Sequence, residues 1–499
     1  MQDRLPPPPS ALVSKNPLQW CRYFGPGAVI ASVTIGSGEL VFPSRGGAIF
    51  GYRLIWVFLL VGFLKWVLAY SSLRHMVISG AHPAERWMSM PGPRGWLHIA
   101  LLGLLLVTMP MSSAFILGVL GTTATWITGF GDHYVWASLC CVLISLLLVL
   151  GGYGTLEKIQ TVMLLVMLSF IMVSLIYLRP DWLGIARGFI PQTLSYPDWL
   201  YSTLPEMRNR SVWVEVLVYV SVIGGTAPDY LAYTAFVRDK KWGWSHLGCA
   251  NQEQLENLAR ARGADLRHWL RAPLVDTALS FFLVVVLSSA FCILGTVVLR
   301  PERLIPEGIN LLNYQALFLT SLASWLLPLY QASVFLAFLG TLYAGPEICY
   351  RNFRELLGAV PEWRHRIPRR LPIAAYGLFL GGGLGVLWFT SLYPDIGLID
   401  IFTPAGILTG VLLASFYTLT NPWMDWRFLP VRLRMPLWLG VANLFAAAVL
   451  LIAGLKALWD YGDLAASLVL GIWLAVSMFL AVMMRSLSDN GDSSPGSFQ

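Results

Sequence analysis

The sequence predicts an all-α integral membrane protein with about 12 transmembrane helices, the first and the sixth broken near mid-membrane. Three observations predict it. Hydrophobic residues make up 56% of the 499-residue chain and charged residues only 12%, and the mean hydropathy is +0.64. A soluble domain carries about 25% charged residues. Apolar runs of about 20 residues recur along nearly the whole chain, each long enough to cross a bilayer as a helix. Two of these runs carry a Gly-rich interruption at their middle, each followed by an acid.

The helices are placed at roughly 26–50, 54–77, 96–127, 134–152, 160–178, 212–237, 273–299, 317–350, 372–391, 398–419, 436–457 and 464–485, and are called helices one to twelve. They form one transporter domain, 25–485, between an N-terminal tail (1–24) and a C-terminal tail (486–499). Pro6 to Pro9 read as part of a flexible tail and not as a cleavable signal.

Most Lys and Arg fall in loops on one side. Lys240, Lys241, Arg260, Arg262 and Arg267 crowd one loop, and Arg364, Arg366, Arg369 and Arg370 another. This bias orients both termini toward the cytoplasm in a plasma (inner) membrane. The formal net charge of +7 then belongs to membrane orientation, and no nucleic-acid partner is implied. The six cysteines show no paired or zinc-binding spacing, and most lie in apolar segments as packing thiols. No catalytic constellation stands in the loops, so no enzyme activity and no resident cofactor are expected.

Helix one reads Gly25-Pro26-Gly27, then Ala28 to Ile35, then Gly36-Ser37-Gly38-Glu39. Helix six reads Val212 to Ile223, then Gly224-Gly225-Thr226-Ala227-Pro228-Asp229. Glycine is a poor helix former, and Pro228 removes a donor and crowds the preceding turn. Backbone without helical bonds is tolerated at this depth only inside protein or beside a wet cavity. Matched breaks in helices one and six fit two five-helix repeats of inverted topology, about 25–180 and 211–420, with helices eleven and twelve appended. Freed carbonyls can hold a cation and half-helix N-termini an anion. The breaks therefore mark a substrate site.

At these residues the chain resembles the Nramp transporters. Gly25-Pro26-Gly27, the break at 36–39, Gly47-Ala48, Phe50-Gly51-Tyr52 and Trp56 follow the family pattern. Arg74, Gly80, Leu156-Glu157 and the Pro228 break also fit. The resemblance implies a LeuT-like fold of the APC superfamily and divalent-metal import coupled to protons. It departs at the decisive positions. Where the family has a metal-binding Asp and Asn at the first break, this chain has Gly36 and Glu39. Where the family has Met-Pro-His, it has Ala227, Pro228 and Asp229. Helix three, the family's proton route, contains no Asp or Glu over 96–127. The usual proton route is therefore expected to be absent or altered.

Three ionisable side chains share the depth of the breaks: Glu39, Asp229 and Lys65. An intramembrane charge is costly, so all three are expected to face the interior. Lys65 is expected within salt-bridge reach of Glu39 or Asp229. Each has a bland role too: Lys65 as structural counter-ion, and Asp229 or Glu39 as cap of a half-helix. Ser37 and Thr226 would then satisfy broken backbone, and Tyr230 and Tyr233 would pack. Two functional readings follow. In one, Glu39 and Asp229 are metal ligands in an oxygen site for Mg²⁺ or Mn²⁺. In the other, Gly36, Ser37 and Gly38 hold the carboxylate of an amino acid or similar solute. The expected substrate residues are Gly36, Ser37, Gly38, Glu39, Gly224, Gly225, Thr226, Ala227 and Asp229. In helix nine, Gly377, Gly381 and Gly385 are expected to allow close helix packing.

Overall fold

A computed structural model describes residues 5–34, 38–150, 169, 171–260, 264–307, 310, 312–393 and 396–491. Among these, nine stretches are long and apolar enough to cross a membrane. They are helices two, three, four and six to eleven. Helix one is divided into halves that are each too short to cross alone. Helix five falls mostly outside the described residues, as do Leu156 and Glu157. Helix twelve contributes the shorter apolar stretch Leu470–Met483.

Helix one consists of Pro26–Thr34 and Phe42–Phe50. Pro26 opens the first half, where its missing N–H costs nothing. Gly51 then takes a left-handed turn (φ +67°) into helix two, Ile55–Ser79. Helix three, Trp96–Thr128, lies between two left-handed glycines, Gly95 and Gly129. Helix six is split into Val212–Val222 and Ala227–Asp239.

Both halves of helix one pack on helix seven, Arg271–Leu294. The first half of helix six packs on helices ten and eleven, and its second half on helices two and eight. The broken pair thus lies at the centre of the bundle.

Three expectations change. Helix eight runs over Leu327–Ala359, beginning and ending later than its apolar stretch suggests. Its charged end stays helical because the charges are paired: Arg351 reaches Asp239 and Glu347, and Glu355 reaches Arg238. Helical backbone also continues over Leu437–Gly491, without the expected break between helices eleven and twelve. In helix nine, a Cβ added at Gly377, Gly381 or Gly385 would meet nothing within 4 Å. The packing glycines are their neighbours. Gly383 lies against Ser113, and Gly382 against Pro110. A π-helical segment over Gly377–Gly382 rotates the face that a regular helix would present.

Candidate functional site

The break in helix six exposes a run of backbone polar groups that the bilayer core cannot solvate. Ile223 leaves helical geometry at ψ 122°. Gly224 and Gly225 follow at φ +73° and +93°, a region other residues enter only under strain. Pro228 stands in the first turn of the second half, where its missing N–H is harmless. The freed groups find side chains.

Lys65 takes the largest share. It is fully buried, and its Nζ donates to Ser221 O at 2.9 Å, Ile223 O at 2.8 Å and Gly225 O at 2.6 Å. The expected ion pair with Glu39 or Asp229 does not form within 4.0 Å among the described residues. The carbonyls freed by the break use all three N–H donors of the ammonium. Lys65 is therefore a backbone partner first and a counter-ion to the two acids only at longer range.

Glu39 meets the same break from helix one. Its Oε1 accepts from Gly224 N at 2.9 Å. Its Oε2 is buried without a hydrogen bond among the described residues. Glu39 does not cap its own half-helix, where Val41 holds the N-cap position without a side-chain bond. Gly38 shows how closely the helices pass, since an added Cβ would sit 2.2 Å from Val222 Cγ1. Gly36 and Ser37 lie outside the described residues.

Asp229 works from the other side. Its Oδ2 accepts from Thr226 N at 2.6 Å and Thr226 Oγ1 at 2.8 Å. Thr226 is the N-cap of Ala227–Asp239, and Asp229 is its reciprocal partner three residues on, a capping box. Asp229 thus supports the cap without occupying it. Ala227, at the place of the family's soft ligand, offers only a buried methyl.

Tyr230 and Tyr233 do more than pack. Tyr230 donates to Gly224 O at 2.6 Å, and Tyr233 donates to Asp276 at 2.6 Å.

Asp229 and Glu39 differ in what they face. Asp229 is half-buried and lines a cavity of about 60 Å³. Thr226, Gly225, Ser112, Thr341 and Met109 line it too, with an apolar remainder that includes Phe115, Phe379 and Phe402. Glu39 is not on its wall. No group of three or more His, Cys, Asp or Glu side chains converges among the described residues. An ion here would rely on one carboxylate, neutral donors and water. Met109 of helix three also lines the cavity, beside the oxygen donors that the sequence led one to expect.

Two further clusters escaped sequence reasoning. Asp276 in helix seven accepts from Gly25 N at 2.8 Å and Gly27 N at 2.9 Å, clamping the start of helix one. At the other end of helix one, buried Arg45 pairs with Glu215 at 2.7 Å and with Glu307 at 3.0 Å. Arg210 joins Glu215 at 2.9 Å. The available signal was a lone charge inside an apolar helix, which applies to Asp276 and Glu215 as it does to Lys65.

The family model of natural resistance-associated macrophage protein-like proteins matches residues 27–346, from the first broken helix into the middle of helix eight. The chain belongs to the Nramp family. Members of this family are membrane transporters and not enzymes, and so is this protein. Among curated relatives, the divalent metal cation transporter MntH of Latilactobacillus sakei is 20% identical over 419 residues, covering 81% of this chain and 83% of that protein. The MntH protein of Listeria welshimeri is 26% identical over 189 residues, covering 36% of this chain and 41% of that one.

A variant of the Eremococcus coleocola manganese transporter has a similar structure, with TM-score 0.69 at 14% identity, covering 93% of this chain and 94% of that chain. A nucleobase-cation-symport-1 family transporter in a closed conformation aligns with TM-score 0.51 at 13% identity, covering 88% and 92%. At such identities these likenesses speak for the fold alone. This Nramp protein therefore keeps the LeuT-like scaffold, with its own side chains at the break.

Proposed function

We propose that this Nramp protein moves a divalent metal cation by alternating access, and that Asp229 is the charged group that meets the cation. The cavity beside Asp229 carries this reading. At about 60 Å³ it has room for an ion and a few waters. Pockets for organic ligands run to about 300–1,000 Å³. An amino acid would not fit beside Thr226 and Ser112 without rebuilding the walls.

The donors suit a hard to borderline ion. Asp229 and the Thr226 and Ser112 hydroxyls offer oxygen, and Met109 on the same wall would add a weak sulfur donor. That set favours Mn²⁺ over Mg²⁺. With one carboxylate available, the ion would keep part of its water shell. The curated MntH relatives are described as divalent metal cation transporters, in line with this reading.

Glu39, the second acid of the expected pair, acts in this reading as a support for Gly224 and not as a ligand. Coupling to protons by the family's usual route is not part of the proposal, since helix three has no acid over 96–127. In this reading the protein sits in a plasma membrane, and the bias of the loop charges supports cytoplasmic termini.

Calorimetric titration of the purified protein with Mn²⁺, Mg²⁺ and a panel of amino acids tests the reading. Saturable heat from Mn²⁺ that disappears in Asp229→Asn is expected. Heat from amino acids alone would overturn the metal reading. Undiminished Mn²⁺ binding in Asp229→Asn would overturn the role of that residue.

A further inference from the structure

We infer that Lys65 is a tethered cation: its ammonium permanently fills the carbonyl site that the broken sixth helix would otherwise offer to a free alkali-metal ion. The proposal concerns a co-ion and not the substrate, so it holds whichever ion Asp229 meets.

The geometry has three parts. First, the acceptors converge. Ser221 O, Ile223 O and Gly225 O come from five consecutive residues, yet all lie between 2.6 and 2.9 Å from one nitrogen. The left-handed Gly224 and Gly225 turn these carbonyls inward. A ring of carbonyl oxygens around a point is how backbone holds a dehydrated monovalent cation. Second, the occupant is charged. A neutral amine has two N–H groups and cannot donate to three carbonyls, whereas an ammonium has three. An ammonium is also close to a potassium ion in size. Third, the site is sealed. Lys65 is fully buried, as are Ser221, Ile223 and Glu39. Glu39 approaches on the amide side of Gly224, which adds negative charge to the neighbourhood without taking the ammonium into a direct pair.

A free ion in such a place would be a co-transported ion, bound and released in each cycle. A lysine on helix two cannot leave. The chain therefore carries its own charge at this position and needs no alkali-metal ion there.

The test uses full-length protein purified in detergent, with a chelator present to remove divalent metals. Melting temperature is measured in NaCl, KCl and choline chloride at equal ionic strength. The wild type should melt at the same temperature in all three. In Lys65→Met the side chain ends one atom short of the ammonium position, so the stem stays filled and the cation point is vacated. This variant should melt several degrees lower in choline. KCl or NaCl should restore much of the loss, with saturation in the millimolar range.

A Lys65→Met protein that melts identically in the three salts would overturn the inference. So would a wild type stabilised saturably by sodium or potassium. If the variant is recovered poorly in choline, the yield of monodisperse protein becomes the readout. Higher yield in KCl or NaCl supports the inference, and equal yields in all three salts sink it. No outcome here depends on Mn²⁺ binding, so failure would leave the role of Asp229 standing.

Discussion

The break in helix six has two unlike sides. On the side toward helices one and two, Lys65 and Glu39 are fully buried, and both are engaged with backbone groups. On the side toward helices three and eight, Asp229 and Thr226 are half-buried and face a small cavity. Both sides carry intramembrane charge, so charge alone does not distinguish them. Access does. The sealed side makes the unwound backbone affordable, and the cavity side is where an ion can come and go. An acid at a broken helix is therefore a ligand candidate only when it also borders open space.

The first prediction tries to break the sealed side. Lys65→Met removes three donors from three buried carbonyls. An orphaned buried acceptor costs about 1–3 kcal/mol, so several kcal/mol of stability should be lost in choline chloride buffer free of sodium and potassium. Chemical denaturation in detergent measures it. A loss no larger than that of an ordinary surface substitution would mean that water or another side chain takes over the break.

On the cavity side, Asp229→Asn should weaken Mn²⁺ binding by on the order of 100-fold, since the charged contact goes while an oxygen remains. Its amide oxygen can still accept from Thr226 N, so the cap should survive and thermal stability should change little. A large drop in melting temperature with affinity intact would assign Asp229 to the sealed side instead.

Ser112→Leu tests the space itself. The Ser112 hydroxyl donates only within its own helix, to Thr108 O. A leucine would fill the cavity and should slow Mn²⁺ uptake into proteoliposomes about tenfold. Unchanged uptake would place the ion elsewhere.

A smaller effect is expected from Met109→Leu, which removes the one sulfur from the wall. The preference for Mn²⁺ over Mg²⁺ should fall about threefold in competition titrations. The smallest effect on binding belongs to Glu39→Gln. The amide can still accept from Gly224 N, so stability should drop by about 1 kcal/mol, with Mn²⁺ affinity within about twofold of wild type. A tenfold loss of affinity there would erase the distinction between the two sides.

Much of this was legible in the residues. Gly224-Gly225 and Pro228 announce a break because glycine and proline fail as helix formers wherever they fold. Glu39, Lys65 and Asp229 announce buried charge because the bilayer tolerates none outside the bundle. Asp276 could have been found by the same rule, as a lone acid in an apolar helix. The partners were not legible. Lys65 lies 156 positions from Ser221 in the chain, and nothing local says that its three protons meet carbonyls and not carboxylates. Met109 looks like one more apolar residue until helix three puts it on the wall of the cavity that Asp229 also lines. The C-terminal end of helix eight reads as a loop from its arginines until the acids that pair with them are known.

By itself, the sequence determined that this chain is an all-helical membrane protein with broken first and sixth helices. Hydropathy and the backbone chemistry of glycine and proline are local properties that survive without a fold. Only the tertiary structure decided which acid borders space and which cation fills the break. Those questions depend on distances between helices remote in the chain, and on a cavity that belongs to no residue in particular.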